Sequence, residues 1–200
     1  MNAILPAASR TAQKSETRAR LLRVASELFA RQGVTTVTVD QIARLADTSR
    51  ANFYLHFSGK ADLLHAMRRH MWHVAQDFYD AFAALPDTRE ATLLRWLRKI
   101  TRAWEREAEL TRVVLGETPA EIRAEYGEHL QGYIDALIRD PAKWPGLSRD
   151  EAARRAYLLI IQLSGFLSDL HILDIPMDRE AMLRSFATVW ATALQPSSAP

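Results

Sequence analysis

Apolar residues recur along this chain at three- and four-residue spacing almost from end to end, the period of helices that each bury one face. Leu21, Leu22, Ala25, Leu28 and Phe29 predict a first helix from about Glu16 to Arg31, with Gly33 placed to end it in the left-handed conformation. Thr38 followed by Gln41 has the form of a capping box and opens a short helix through Ile42, Ala43 and Ala46. Asp47 and Thr48 make a turn, and Ser49 caps a third helix ending near His56. Gly59 precedes a long helix striped by Leu63/Leu64, Met67, Met71, Val74, Phe78 and Phe82. Further caps follow: Asp87 with Glu90 for a helix carrying Leu93, Leu97, Ile100 and Trp104, and Thr118-Pro119 with Glu121 for one carrying Ile122, Tyr126, Leu130, Tyr133 and Leu137. Ser148 with Glu151 begins a long apolar helix to about Ile172, and Asp178 opens the last, stopped by Pro196. No alternating strand pattern flanked by hairpin signals is present, so the expected fold is all-α with about nine helices.

Composition narrows the chemistry. The 200 residues contain no cysteine, which removes disulfides, thiolate nucleophiles, zinc knuckles and iron–sulfur clusters together. The longest apolar run, Ala156 to Leu167, is interrupted by Gln162 and Ser164 and is too short to span a bilayer. The first fifteen residues lack a sustained apolar stretch of the kind a secretory signal needs. A soluble, cytoplasmic protein with no membrane partner is expected. The net charge of +2 conceals an asymmetry: residues 1–60 hold nine Lys/Arg against four acids, while the remainder holds 17 basic against 20 acidic side chains. A basic head on a mildly acidic body suits a head that meets a polyanion, although short segments also fluctuate by a few charges.

Three short helices in residues 15–57 have the makings of a unit that presents its third helix to a DNA groove. Ile42, Ala43, Leu45/Ala46 and Phe53 fall on core positions, with Ser49, Arg50, Asn52, Tyr54 and His56 outward or at the rim. Arg grips guanine bidentately, Asn pairs with adenine, and Tyr, His and Ser bind phosphates. The run Thr38-Val39-x-x-Ile42-Ala43, Ser49-Arg50-x-x-Phe53-Tyr54-x-His56-Phe57, Lys60-x-x-Leu63-Leu64 resembles the signature of TetR-type transcriptional regulators. Leu21-Leu22-x-x-Ala25-x-x-Leu28-Phe29-x-x-x-Gly33 is similar to that family's first helix, and the match covers residues 17–64. The resemblance implies a homodimeric regulator acting on a palindromic operator in double-stranded DNA, most often a repressor released or modulated by a small apolar ligand. It places Tyr54, His56 and Lys60 at phosphates, Arg50, Ala51 and Asn52 at bases, and Thr38 near the backbone. One position departs from the pattern: Asp47 stands where the family usually has glycine in the turn.

On this reading residues 1–14 are a flexible tail, 15–60 the helix-turn-helix domain, 61–196 a helical effector-binding and dimerisation domain, and 197–200 a tail. Arg10, Lys14 and Arg18 offer a basic arm to phosphates or the minor groove. All five tryptophans lie beyond residue 60, which suits either a plain core or an aromatic-lined cavity. The resemblance favours a cavity, with Trp72, Phe78, Trp96, Trp104, Tyr126, Tyr133 and Phe166 as candidate lining. The last two helices are the candidate dimer interface, through Tyr157, Ile161, Gly165, Phe186 and Trp190, in an isologous four-helix arrangement. His70, His73 and Asp77 share one helix edge at a spacing that could hold a divalent cation, but three such residues are more often plain solvated positions. Glu125, Glu128 and His129 form a weaker cluster. No catalytic motif, phosphate-binding glycine loop or His-Glu-x-x-His sequence is present, so neither an enzyme nor a cofactor is expected.

Overall fold

The computed structural model describes residues 7–116, 122–169 and 178–195, the side chains at 7–10, 115–116, 122–126 and 128 excepted. Among them are nine α-helices and no strand: α1 (Ala7–Gln32), α2 (Val39–Leu45), α3 (Arg50–Tyr54), α4 (Lys60–Ala83), α5 (Glu90–Arg106), α6 (Ala108–Gly116), α7 (Ile122–Leu137), α8 (Arg149–Ser168) and α9 (Arg179–Ala193). A single 3-10 turn, Pro141–Lys143, follows α7. None of the described helices is long and apolar enough to cross a membrane. The fold is all-α, as the periodicity predicts.

Two helix boundaries differ from the sequence reading. The first helix begins at Ala7, so that residues 7–14, read as tail, are helical. The segment from Thr11 to Glu16 is exposed on every side, and a helix without an apolar stripe gives periodicity nothing to detect. Alanines at 7, 8 and 12 and the lack of Gly or Pro up to Gln32 allow the helix to propagate outward from its buried part. The second difference is α6, which the hydrophobic pattern does not announce. Glu107 leaves helical geometry at φ −107° and ψ 24°, its N–H still donating to Ala103 and Trp104 carbonyls, and the chain turns helical again one residue later. The expected starts near Thr118 and stops near Ile172 and Pro196 lie outside the described residues.

The chain forms two compact units. One comprises the residues up to His70 together with Glu109–Gly116, the other Met71–Ala108 and the described residues beyond Gly116. The head unit buries Leu21, Val24, Ala25, Leu28 and Phe29 of α1 along with Ile42, Ala43, Ala46, Phe53 and Phe57. Leu63, Ala66 and Met67 of α4 are buried too, which carries the head past residue 60 to His70. Leu45 is a correction: Ala46 takes the core position, and Leu45 is 58% exposed.

The body unit has one aromatic centre. Phe78 lies flat against Trp96, centroids 4.0 Å apart and planes 10° from parallel, while Trp190 meets Trp96 edge-on at 4.9 Å. Trp96 Nε1 donates to the Phe78 carbonyl at 3.0 Å and Trp144 Nε1 to the Leu137 carbonyl at 2.9 Å, so these two indoles are buried with their polar atoms satisfied. Leu93, Leu97, Leu137, Ile160 and Leu163 close the shell around them. At the surface α5 and α9 are bridged by Arg98–Glu180 and Glu105–Arg179.

Candidate nucleic-acid interface

A five-residue helix has too few internal hydrogen bonds to persist alone, so α3 has to be held from outside. Its N-terminus is capped by Ser49, whose Oγ accepts the Asn52 N–H at 3.0 Å. Its buried side rests on Phe53 and Phe57, both essentially inaccessible, whose rings are 5.9 Å apart. Arg18 of α1 clamps the far end: its guanidinium lies 4.0 Å from the Phe57 ring centroid, and Nη1 donates to the His56 carbonyl at 2.7 Å.

The preceding helix is fixed as firmly. Gln41 N–H donates to Thr38 Oγ1 at 3.2 Å, and Thr38 N–H returns to Gln41 Oε1 at 2.8 Å, completing the capping box. At the other end the Thr48 N–H reaches the Ala43 carbonyl at 2.9 Å and the Asp47 N–H reaches Arg44 at 3.2 Å. That is a Schellman close, which needs a left-handed residue, and Asp47 supplies it at φ 49°. The departure from glycine is therefore accommodated, because a short carboxylate side chain tolerates this region better than most.

What remains outward is one face of α3. Arg50, Ala51 and Tyr54 are exposed, Asn52 and His56 half-buried, Ser49 and Thr38 exposed at their caps. Asn52 Nδ2 is engaged with Thr48 Oγ1 at 2.6 Å, so pairing with a base requires it to exchange that contact. Lys60 is engaged within the head itself. Its ammonium donates to the carbonyls of Val34 at 2.7 Å, Thr35 at 3.2 Å and Val37 at 2.8 Å, which accounts for all three of its donors. It pins the α1–α2 connection to the start of α4.

Sequence reasoning missed two residues on this surface. Leu55, 73% exposed, follows Ala51 by one helical turn and extends an apolar ridge along the outward face. Asp40 of α2 pairs with Arg50, ten residues later and across the turn, where no periodicity links them. Contact with Tyr54, and after it the Asp40 carboxylate, raises the Arg50 pKa above its ordinary value. Burial foremost, then the positive charges of Lys14 and Arg18, lowers the His56 pKa from 6.5.

In the body unit the candidate lining residues divide. Phe78, Trp96, Tyr133 and Phe166 are buried core side chains packed on one another or on Tyr79 and Phe186. Trp72 and Trp104 are half-buried; Trp72 stacks on His129 at 4.0 Å, and Tyr133 Oη donates to the Trp72 carbonyl at 3.3 Å. The side chains of Tyr126, Glu125, Glu128 and Arg10 lie outside the described residues. On α8, Tyr157, Leu158, Ile161 and Gly165 are exposed, forming a stripe at i, i+1, i+4 and i+8. Phe186 of α9 is half-buried against Phe166. Trp190 is a correction: it is fully buried against Trp96 and Phe82 and has no surface to present to a second copy. His70, His73 and Asp77 are exposed on α4, and the described residues contain no cluster of three such side chains placed to hold a metal ion.

This arrangement, two short helices closed by a tight turn and braced by a longer one, is a helix-turn-helix. Residues 21–67 match the family model described as bacterial regulatory proteins, tetR family, so the head is similar to the DNA-binding part of that family. Over 56 residues it is 46% identical to the HTH-type transcriptional regulator SrpR of Pseudomonas putida, an alignment spanning 28% of this chain and 26% of that protein. The matched stretch is thus about a quarter of the relative's length. Solved structures extend the likeness to the whole fold. FadR from Bacillus subtilis, in complex with stearoyl-CoA, superposes with a TM-score of 0.65 at 18% identity, covering 88% of this chain and 98% of that one. NalD, the secondary repressor of the MexAB-OprM multidrug efflux pump in Pseudomonas aeruginosa, gives 0.62 at 21% identity over 91% and 97%.

Two outcomes follow from the turn and the clamp. Asp47→Gly is expected to be neutral or stabilising by up to ~1 kcal/mol, whereas Asp47→Val should cost about 1–2 kcal/mol, because a β-branched residue resists positive φ; urea unfolding of the two variants measures both. Since the His56 pKa is lowered on folding, the unfolded chain takes up the proton first as pH falls, and stability present above pH 6.5 is lost below it. Thermal midpoints recorded from pH 7 to pH 5 should fall more steeply for the native chain than for His56→Gln, with the difference levelling off once folded His56 is also protonated.

Proposed function

We propose that this protein is a DNA-binding transcriptional regulator that works as a homodimer on a palindromic operator, a repressor released or modulated by a small apolar ligand. The observation that carries the DNA reading is the outward face of α3: Arg50, Ala51 and Tyr54 are exposed while Phe53 and Phe57 anchor the opposite side. That face belongs to the segment carrying the chain's positive excess, nine basic side chains against four acidic in residues 1–60. Ser49, Asn52 and His56 stand at its edges for phosphates and bases, with Thr38 at the neighbouring cap.

A helix this short spans too few base pairs for genomic specificity, which favours two copies reading two half-sites. The exposed stripe of Tyr157, Leu158 and Ile161 on α8 supports the pairing, because adjacent large apolar side chains left in water mark an interaction surface. Gly165 on the same stripe would let a second helix approach closely. The similar fold of FadR, which holds stearoyl-CoA, supports an effector with an apolar part such as an acyl chain. Binding that differs between the DNA-competent and incompetent states would shift operator affinity by that difference.

Titration of the protein against fragments from beside its own gene, over a range of salt, tests the assignment. Binding should weaken steeply with salt, and the pair Arg50→Ala, Tyr54→Phe should abolish preference for one fragment; unchanged binding by that double variant overturns α3 as the reading helix. Sedimentation should show a dimer that Ile161→Arg with Leu158→Glu converts to a folded monomer of much lower operator affinity. A native chain that is monomeric with operator DNA present contradicts the symmetric reading.

A further inference from the structure

Arg50 does not extend freely into solvent. Its Nη1 donates to both oxygens of Asp40, at 3.2 and 3.1 Å, and its guanidinium carbon lies 5.7 Å from the centroid of the Tyr54 ring. Both members of the ion pair are 62% exposed, so the pair sits in the surface that α3 presents rather than beneath it. Two elements contribute: Asp40 belongs to the first turn of α2, held by the Thr38–Gln41 box, and Arg50 to the first turn of α3, held by Ser49. Because both turns are capped, the carboxylate is a fixed point from which the guanidinium is aimed.

A guanidinium has five N–H donors in a rigid fork, and Asp40 engages only the Nη1 end. The Nε and Nη2 donors are not engaged by Asp40; Tyr54 also contacts the guanidinium, and guanine O6 with N7 is the planar acceptor pair that the major groove offers to such donors. A phosphate makes the opposite demand. To reach the backbone Arg50 has to swing away from Asp40, leaving an unpaired carboxylate in the negative field of the duplex. An acid in a basic DNA-binding head lowers affinity for every sequence, a cost that gained discrimination would offset.

We propose that Asp40 is a specificity-determining positioning residue: it holds Arg50 toward a guanine in each operator half-site and penalises the swing to phosphate that non-specific DNA would otherwise capture. The proposal rests on the DNA-reading assignment of α3. It assigns Asp40 no contact with DNA; Asp40 acts through Arg50.

The test begins by selecting the preferred duplex from a random library with the native protein. Affinities are then measured for that duplex, for one with the selected guanine pair replaced, and for an unrelated duplex, using native protein, Asp40→Asn, Asp40→Glu, Arg50→Ala and the Asp40→Asn/Arg50→Ala double variant. Circular dichroism verifies folding of each. Asp40→Asn should bind the unrelated duplex more tightly and with a steeper salt dependence, yet lose about tenfold or more of its preference for the guanine-containing site, the lower range of single-base discrimination. Asp40→Glu, which keeps the charge, should retain most of that preference, and Asp40→Asn should change nothing further in the Arg50→Ala background. Equal tightening on all three duplexes would overturn the proposal, leaving Asp40 a simple repulsive charge. So would an equal loss of preference with and without Arg50. A native chain that selects no duplex overturns the DNA-reading assignment itself, a result separable from either of these.

Discussion

Everything the head does depends on holding a helix of five residues rigid while one of its faces is left in water. Helix formation is cooperative and its first turn is costly, so α3 draws its order from Phe53 and Phe57 beneath it, Ser49 before it and Arg18 behind it. These contacts leave Arg50, Ala51, Tyr54 and Leu55 unburied, because the aromatic anchors occupy the opposite side of so short a helix. Lys60 extends the same logic to the next connection, where three carbonyls with no helical partner share one ammonium. The cost of the design is borne at Asp47, which holds a positive φ so that α2 and α3 can meet in a turn.

The body follows a different rule. At its centre Trp96 touches Phe78, Phe82 and Trp190, and area removed from water dominates over specific polar contacts. Such a core is dense, and a fully buried member such as Trp190 cannot face a partner without leaving it. That constraint moves Trp190 from the interface role expected of it to a structural one. It directs attention instead to the half-buried Trp72 and Trp104 and to the uncovered stripe of α8.

The candidate interface was legible in the sequence to the extent that its residues are local. Caps at Thr38 and Ser49, the anchor at Phe53 and the outward Arg50 and Tyr54 all follow from spacing within one or two turns. Asp40 was not legible, because its partner lies ten residues away across a bend whose geometry depends on Asp47. The surroundings of Lys60 depend on the same kind of distant meeting. A lysine beside a DNA-binding helix looks free in sequence, and only the folded chain brings three orphaned carbonyls to it.

By itself the sequence determined that this protein is helical, where its caps fall, which stripes are buried, and that a basic head precedes a near-neutral body, since these depend on neighbours within a few residues. The tertiary structure alone decided the rest. It assigned Glu109–Gly116 to the head, with Leu110 and Val113 buried and Glu109 3.8 Å from Arg31, although nearly eighty residues of chain separate them. It also chose between Leu45 and Ala46 for the core, and between core and surface for each tryptophan. Those choices depend on which distant faces meet, and a one-dimensional pattern carries the period of a face but not the identity of what covers it.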